Sequence, residues 1–216
     1  MKKYHKIQTI YKRDMFNNGK IIIGDYSEPF FEYLKDNIWV FTEKVDGTNI
    51  RVMWDGENVV FGGKTDNSQI PTFLFYKLQS LFEGIVKKQM FLKQFPQEEG
   101  VKSQVCLYGE GYGAKIQTGG KYIPDGVDFV LFDVKIGNIW LLREDVEEIA
   151  KVFNIKIVPI VGEGTLNDCI EIVKKGCKSQ WGDFEAEGIV ARPKVELKDR
   201  RGNRIITKIK SRDFKI

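Results

Sequence analysis

The sequence predicts an α+β protein built from antiparallel sheets with helices inserted at intervals. Short runs rich in Val, Ile, Phe, Tyr and Trp recur along most of the chain, the composition that strands favour. Turn dipeptides separate several of these runs, at Asn18-Gly19, Asp46-Gly47 and Asp55-Gly56, and turns this short return neighbouring strands antiparallel. Helical periodicity is confined to a few segments.

The first strand is expected at "KIIIGDY", followed by "IWVFTEKV", "NIRVMWDG" and "NVVFGGK". The clearest helix runs from Pro71 to Phe95. A proline suits its first turn, where the missing N–H has no intrahelical partner, and Phe75, Leu78, Leu81, Phe82, Ile85 and Val86 recur at helical spacing. "SQVCLYGEGYG", "DFVLFDVKIG" and "NIWLL" resume the strand pattern. Leu142 to Phe153 and Leu166 to Gly176 read as shorter amphipathic helices on either side of "IKIVPIV". Both carry acids early and lysines late, which complements the helix dipole. "EGIVARP" and "RIITKIKS" complete the strands. No repeat, low-complexity tract or linker interrupts the chain, so a single domain over residues 1–216 is expected.

Composition narrows the chemistry. The only histidine is His5, which argues against histidine acid–base catalysis and multi-histidine metal sites. Cys106, Cys169 and Cys177 lack CxxC spacing, which fits a reducing compartment and not a zinc site. No apolar run reaches the length of a membrane span, and "MKKYHKIQTI" lacks the apolar core of a secretory signal, so a cytoplasmic protein with no membrane partner is expected. With 34 basic and 30 acidic residues the net charge is only +4, too small to diagnose nucleic-acid binding, although local clusters could still form a binding face. An enzyme of this composition must work with lysine, carboxylates and bound metal.

Lys44 therefore stands out. It follows the apolar run "IWVF" and precedes Asp46-Gly47, where an ammonium group is either a solvated turn residue or a reactive amine held in a pocket. In "RIITKIKSRDF", alternation puts Ile206, Lys208 and Lys210 on one face and Ile205, Thr207 and Ile209 on the other. Two lysines on one face repel each other unless an anion lies between them, so the segment is either an exposed basic face or a phosphate site. "YGEGYG" and "EAEGIVAR" each set a glutamate, Glu110 or Glu187, beside glycines that allow close approach of a ligand or a backbone. In "DFVLFDV", alternation puts Phe132 on the face of Val130 and Val134, as a core residue or a platform for a ring.

Taken in order, "EKVDGTN", "FVLFDV", "EGIV" and "ITKIKS" resemble motifs of the covalent nucleotidyltransferases, the superfamily of ligases and capping enzymes. Together with "GGKTDNS" and "YGEGYG", the "EKxxGTN" form is most similar to the ATP-dependent RNA ligases, in particular the branch typified by a phage ligase that seals nicks in double-stranded RNA. The resemblance extends from about Trp39 to Lys210. It implies a nucleotidyltransferase domain in which Lys44 attacks the α-phosphorus of ATP, carries AMP, and passes it to a 5′-phosphate RNA end that a 3′-hydroxyl then seals. It also implies Lys208 and Lys210 as catalytic phosphate ligands and Glu187 as the ligand of Mg2+ (or Mn2+). Glu110 would bind the ribose, Phe132 would stack on adenine, and Asn49 would contact the nucleotide near its phosphates. Lys64 stands where many relatives have arginine, exchanging a bidentate contact for a point charge. Glu43 matches an adenine-contacting position, yet neighbours in a strand point oppositely, so it shares a pocket with Lys44 only through a bend or its backbone.

Only Ser211 to Ile216 follow the last motif. The expectation is accordingly a chain without the C-terminal oligonucleotide-binding or RNA-end-recognition domain, acting on nicked or annealed RNA, with a partner protein as a possible substitute. The rival readings are a minimal DNA ligase, a GTP-using capping enzyme, and a nucleic-acid-binding relative without catalysis.

Overall fold

The computed structural model describes residues 3–96 and 104–215. In chain order the strands are β1 (Gln8–Thr9), β2 (Tyr11–Asp14), β3 (Lys20–Tyr26), β4 (Trp39–Lys44), β5 (Thr48–Trp54), β6 (Val59–Gly62), β7 (Val105–Gly113), β8 (Val127–Ile136), β9 (Ile139–Trp140), β10 (Lys156–Ile157), β11 (Ile160–Gly164), β12 (Gly188–Pro193) and β13 (Thr207–Lys210). The helices are α1 (Pro29–Tyr33), α2 (Thr72–Phe82), α3 (Ile85–Gln94), α4 (Arg143–Phe153) and α5 (Leu166–Lys174). The mixture is α+β, as expected. The chain divides into two compact units, Met1–Tyr4 with Asp46–Val158, and His5–Val45 with Pro159–Ile216.

The unit built from both chain segments around the motifs, His5–Val45 and Pro159–Ile216, has a sheet ordered β1-β13-β12-β4-β11. β4 is antiparallel to β12 and β11, and β12 is antiparallel to β13. One face of the sheet contributes Phe41, Ile189, Ala191 and Ile209 to a core completed by Phe31, Leu166, Ile170 and Val173. α5 starts in a capping box: Thr165 accepts from the Asp168 N–H and Asp168 accepts from the Thr165 N–H.

The other unit has a sheet ordered β10-β8-β7-β5-β6, with β9 added to β8. Its core packs Ile50, Val52, Trp54, Leu107, Phe129, Leu131 and Val134 against Leu74, Leu78, Phe82, Phe91, Ile149 and Phe153 from the helices.

Several expectations need correction. The segment Pro71 to Phe95 is two helices, broken at Gly84, whose φ of +100° leaves the helical region. Its buried face carries Leu74, Leu78, Phe82 and Phe91, while Ile85 and Val86 are exposed. Asp46-Gly47 does not close a hairpin, because β4 and β5 belong to different sheets. A side chain at Gly47 would meet the Gly111 carbonyl, so the glycine serves a close backbone approach. "IKIVPIV" splits into β10, which pairs parallel with β8, and β11, which pairs antiparallel with β4. β1 and β13 are also parallel. In "SQVCLYGEGYG" the strand starts at Val105, and Ser103 lies outside the described residues. Finally, a bulge between Tyr108 and Gly109 leaves Phe132 as the extra residue of β8. Val134 then faces the core with Leu107, and Val130 pairs with Glu110 on the other face, so the two valines do not share a side.

Candidate active site

Lys44 ends the central strand of its sheet. In register, Lys44 and Lys210 both pair with Gly188, so the three residues form a row across β4, β12 and β13 and the two lysines share a face. Only glycine fits the middle of that row: a Cβ at position 188 would sit 2.1 Å from the Ile209 carbonyl oxygen. The preceding residue supplies the charge. Glu187 accepts from Lys44 Nζ at Oε2 (2.5 Å) and from Lys210 Nζ at Oε1 (2.7 Å). Its main chain is fixed as well, since the Ser211 N–H donates to the Glu187 carbonyl at 2.9 Å. All three side chains keep some solvent exposure, 22% for Lys44 and 16% for Glu187 and Lys210. Lys208 lies two residues back from Lys210, paired with Val190 and on the same face by alternation.

Glu43 takes the opposite face. Its carboxylate is buried, accepts from the Ser179 hydroxyl at 2.6 Å and from the Gln180 N–H at 2.7 Å, and thereby ties the loop after α5 to β4. Burial pushes this carboxyl above its ordinary range, and the two hydrogen bonds oppose that shift. Ser179 and Gln180 carry no signal in the sequence beyond polar residues in a loop.

The remaining candidates belong to the other unit. Asn49 on β5 pairs with Glu110 on β7, which pairs in turn with Val130 on β8. The Asn49 Oδ1 is buried and has no hydrogen-bond partner among the described residues. Phe132 is half-buried at the bulge, and the Tyr4 ring meets it edge-on at 5.1 Å between centroids. Tyr4 is itself anchored by donating its hydroxyl to Asp133 Oδ2 at 2.5 Å. Lys64 is exposed on a loop held by Arg51, a residue that the sequence left without a role. The Arg51 guanidinium is 1% exposed, donates from Nε to the Gly63 carbonyl at 2.9 Å and from Nη2 to Asp66 at 2.8 Å. A bond from Arg51 keeps the Asp66 carboxyl below its usual range. An arginine within "NIRVMW" was the available hint. Asp46, within the Lys44 motif, accepts from Thr118 through both its N–H and its hydroxyl.

Among the described residues no group of three His, Cys, Asp or Glu side chains could hold a metal. The donor set near Lys44 is a single carboxylate whose oxygens already serve two ammonium groups. That suits a Mg2+ or Mn2+ ion only if it arrives with an anionic ligand, because magnesium uses one or two carboxylates together with substrate phosphates and water. With a triphosphate supplying the remaining oxygens, Glu187 fits the part.

Residues 37–210 match the family model described as RNA ligase, a span that includes every candidate residue above. The chain belongs to the RNA ligase family. Its fold is similar to solved structures of a Naegleria gruberi RNA ligase. A mutant with ATP and Mn gives a TM-score of 0.63 at 19% identity, covering 97% of this chain and 59% of that one. The form with PPi gives 0.63 at 19% identity, covering 99% and 61%. Another mutant, with AMP and Mn, gives 0.63 at 18%, covering 97% and 60%. This RNA ligase family member thus spans about three fifths of the length of those structures. No curated protein sequence matches it.

Proposed function

We propose that this RNA ligase family member is an ATP-dependent RNA ligase acting through a Lys44–AMP intermediate. The observation that carries the reading is the seating of Lys44 and Lys210 on one carboxylate, that of Glu187. Two ammonium groups and one carboxylate leave a net positive site that draws in a polyanion. Without nucleotide, Lys44 is a hydrogen-bond donor, and it must give up a proton before its lone pair can attack. Glu187 Oε2, 2.5 Å away, accepts that hydrogen bond in the nucleotide-free site, and the proton passes to solvent when the nucleotide and its metal take up the carboxylate.

Lys44 Nζ then forms a bond to the α-phosphorus of ATP. The bond from that phosphorus to the bridging oxygen breaks, and pyrophosphate leaves with the electron pair. Lys210 and Lys208 hold the phosphate oxygens as charge develops on them. A Mg2+ or Mn2+ ion, bound with the triphosphate through Glu187 and water, would neutralise charge on the leaving pyrophosphate. In the second step a 5′-phosphate oxygen of RNA bonds to the AMP phosphorus as the bond to Lys44 Nζ breaks and the amine regains a proton; in the third a 3′-hydroxyl oxygen bonds to the 5′ phosphorus, losing its proton, as AMP leaves with the bridging oxygen.

On the other unit, Phe132 is assigned to adenine, Glu110 to the ribose hydroxyls, Asn49 to the nucleotide near its phosphates and Lys64 to a phosphate or RNA contact. The unpartnered Asn49 Oδ1 supports a polar ligand there, because burying such an atom without a partner is costly. Any adenine contact by Glu43 falls to its backbone, since its carboxylate is engaged with Ser179 and Gln180. The natural substrate is taken as nicked or annealed RNA with 5′-phosphate and 3′-hydroxyl ends. The 1–216 chain is taken to work as a single nucleotidyltransferase domain, in the cytoplasm.

Incubation with α-labelled ATP followed by a denaturing gel tests the reading. Label is expected on the wild-type chain and not on Lys44→Ala, with melting temperature nearly unchanged. Label surviving on Lys44→Ala would falsify the assignment of the nucleophile. Label from GTP in place of ATP favours capping, and sealing of a nick in DNA over RNA favours a DNA ligase.

A further inference from the structure

A second charged feature lies away from Lys44. The connection from β12 to β13, residues 194–204, carries five basic and two acidic side chains in eleven residues, against a net charge of +4 for the whole chain. It leaves β12 at Pro193, which pairs with Trp39, whereas Lys44 pairs with Gly188 at the other end of the strand. At about 3.3 Å per residue, the two ends are roughly 17 Å apart.

This connection is a built turn. The Asp199 carboxylate accepts from the N–H groups of Arg201 (2.8 Å) and Asn203 (2.9 Å), and Gly202 takes a φ of +78°. Asp199 is thus largely occupied by its own turn, with only a long 3.5 Å contact to Arg201. At the base, the main chains of Lys198 and Arg204 pair antiparallel, and the Arg204 guanidinium pairs with Glu196 at 3.6 Å. The turn and α1 line a groove of about 540 Å³ whose walls include Lys198, Arg200 and Arg201 on one side and Phe30 and Tyr33 on the other. Tyr33 is 86% exposed, while Phe30 is braced by Phe31 at 4.8 Å.

An exposed ring opposite a row of cations is the arrangement that binds single-stranded nucleic acid: the cations follow the phosphates and the ring stacks on a base. A duplex already stacks its bases internally and has none to offer Tyr33. We propose that this groove binds a single-stranded RNA segment, with a base on Tyr33 and phosphates on Lys198, Arg200 and Arg201. The proposal rests on the RNA ligase reading for its ligand but not on the chemistry of Lys44.

The test measures binding of fluorescent single-stranded RNA by anisotropy across salt concentrations, with self-adenylylation by labelled ATP measured in parallel. In Arg200→Ala/Arg201→Ala, affinity for a twelve-nucleotide strand is expected to fall about tenfold or more, and the salt slope by about 1.4. Tyr33→Ala should weaken binding by about fivefold or more while Tyr33→Phe restores it. Self-adenylylation should be unchanged in all three, which also verifies folding. Unchanged affinity and salt slope in the double variant overturn the proposal. So does equal binding of Tyr33→Ala and wild type, which would indicate duplex backbone contact, or competition by polyglutamate as effective as by RNA, which would indicate an acidic protein partner. Failure of the ligase reading appears separately, as wild-type protein that binds RNA at this groove but takes no label.

Discussion

Two clusters of candidate residues, one in each unit, handle their polar groups differently. In the unit that carries Lys44, that amine, Lys210 and Glu187 satisfy one another, and the buried Glu43 is satisfied by Ser179 and Gln180. In the unit that carries Asn49, the Oδ1 of that residue is buried with no partner among the described residues. The first arrangement is a closed set of charges that an incoming anion must rearrange, and the second leaves a place for a ligand's hydrogen bond. Register explains part of the contrast. Lys44 and Lys210 meet because both pair with Gly188, whereas Phe132 reaches its position only because a bulge inserts it into β8.

The sharpest way to break the contrast is to remove the shared charge. Glu187→Gln leaves two ammonium groups facing a neutral amide. Self-adenylylation is expected to fall by roughly 100-fold or more in a single-turnover label assay. Stability should fall by about 1–3 kcal/mol, less at high salt, in chemical denaturation. Unchanged labelling would mean that the carboxylate only neutralises its neighbours.

A smaller effect is expected on the other unit. Phe132→Ala removes the assigned stacking surface, so the ATP concentration for half-maximal labelling should rise by about 5- to 100-fold, as expected for one stacked base. The maximal rate at saturating ATP should change much less. A loss confined to the rate would move Phe132 out of the nucleotide contact.

The smallest effect concerns Glu43. Burial raises its folded-state pKa above the unfolded value, so between those two values the folded chain binds more protons than the unfolded one. Stability from this group is therefore fully present below the unfolded pKa and is lost as pH rises through the folded pKa. Glu43→Gln carries no such titration. Its melting temperature relative to wild type should rise as pH increases through that window, by on the order of 2–4 °C for each kcal/mol released. A difference that is flat with pH would show that the hydrogen bonds from Ser179 and Gln180 cancel the cost of burial.

What the sequence made legible was local or periodic. Alternation in "ITKIKS" placed Lys208 and Lys210 on one face, and the observed strand has Thr207 and Ile209 buried on the other. The pair that shares a carboxylate is not the expected Lys208 and Lys210: Glu187 joins Lys210 to Lys44, two residues far apart in sequence. Features that depend on distant partners were not legible. Nothing near Phe132 announces a bulge, because the extra residue is defined by where β7 pairs. Asp46-Gly47 carries hairpin chemistry, yet the chain uses it to pass from one sheet to another. The role of Arg51 required knowing that Gly62 lies opposite it and that the loop beyond turns back over the guanidinium.

The order in which the two units are completed along the chain has a consequence for timing on the ribosome. The Asn49 unit is drawn almost wholly from the continuous stretch Asp46–Val158, whereas the Lys44 unit waits for residues after Pro159. Lys44 emerges early but gains Gly188, Glu187 and Lys210 only after the stretch Asp46–Val158 of the Asn49 unit has been made. A nascent chain therefore carries Lys44 without its Glu187 and Lys210 partners until the strands after Pro159 have left the exit tunnel.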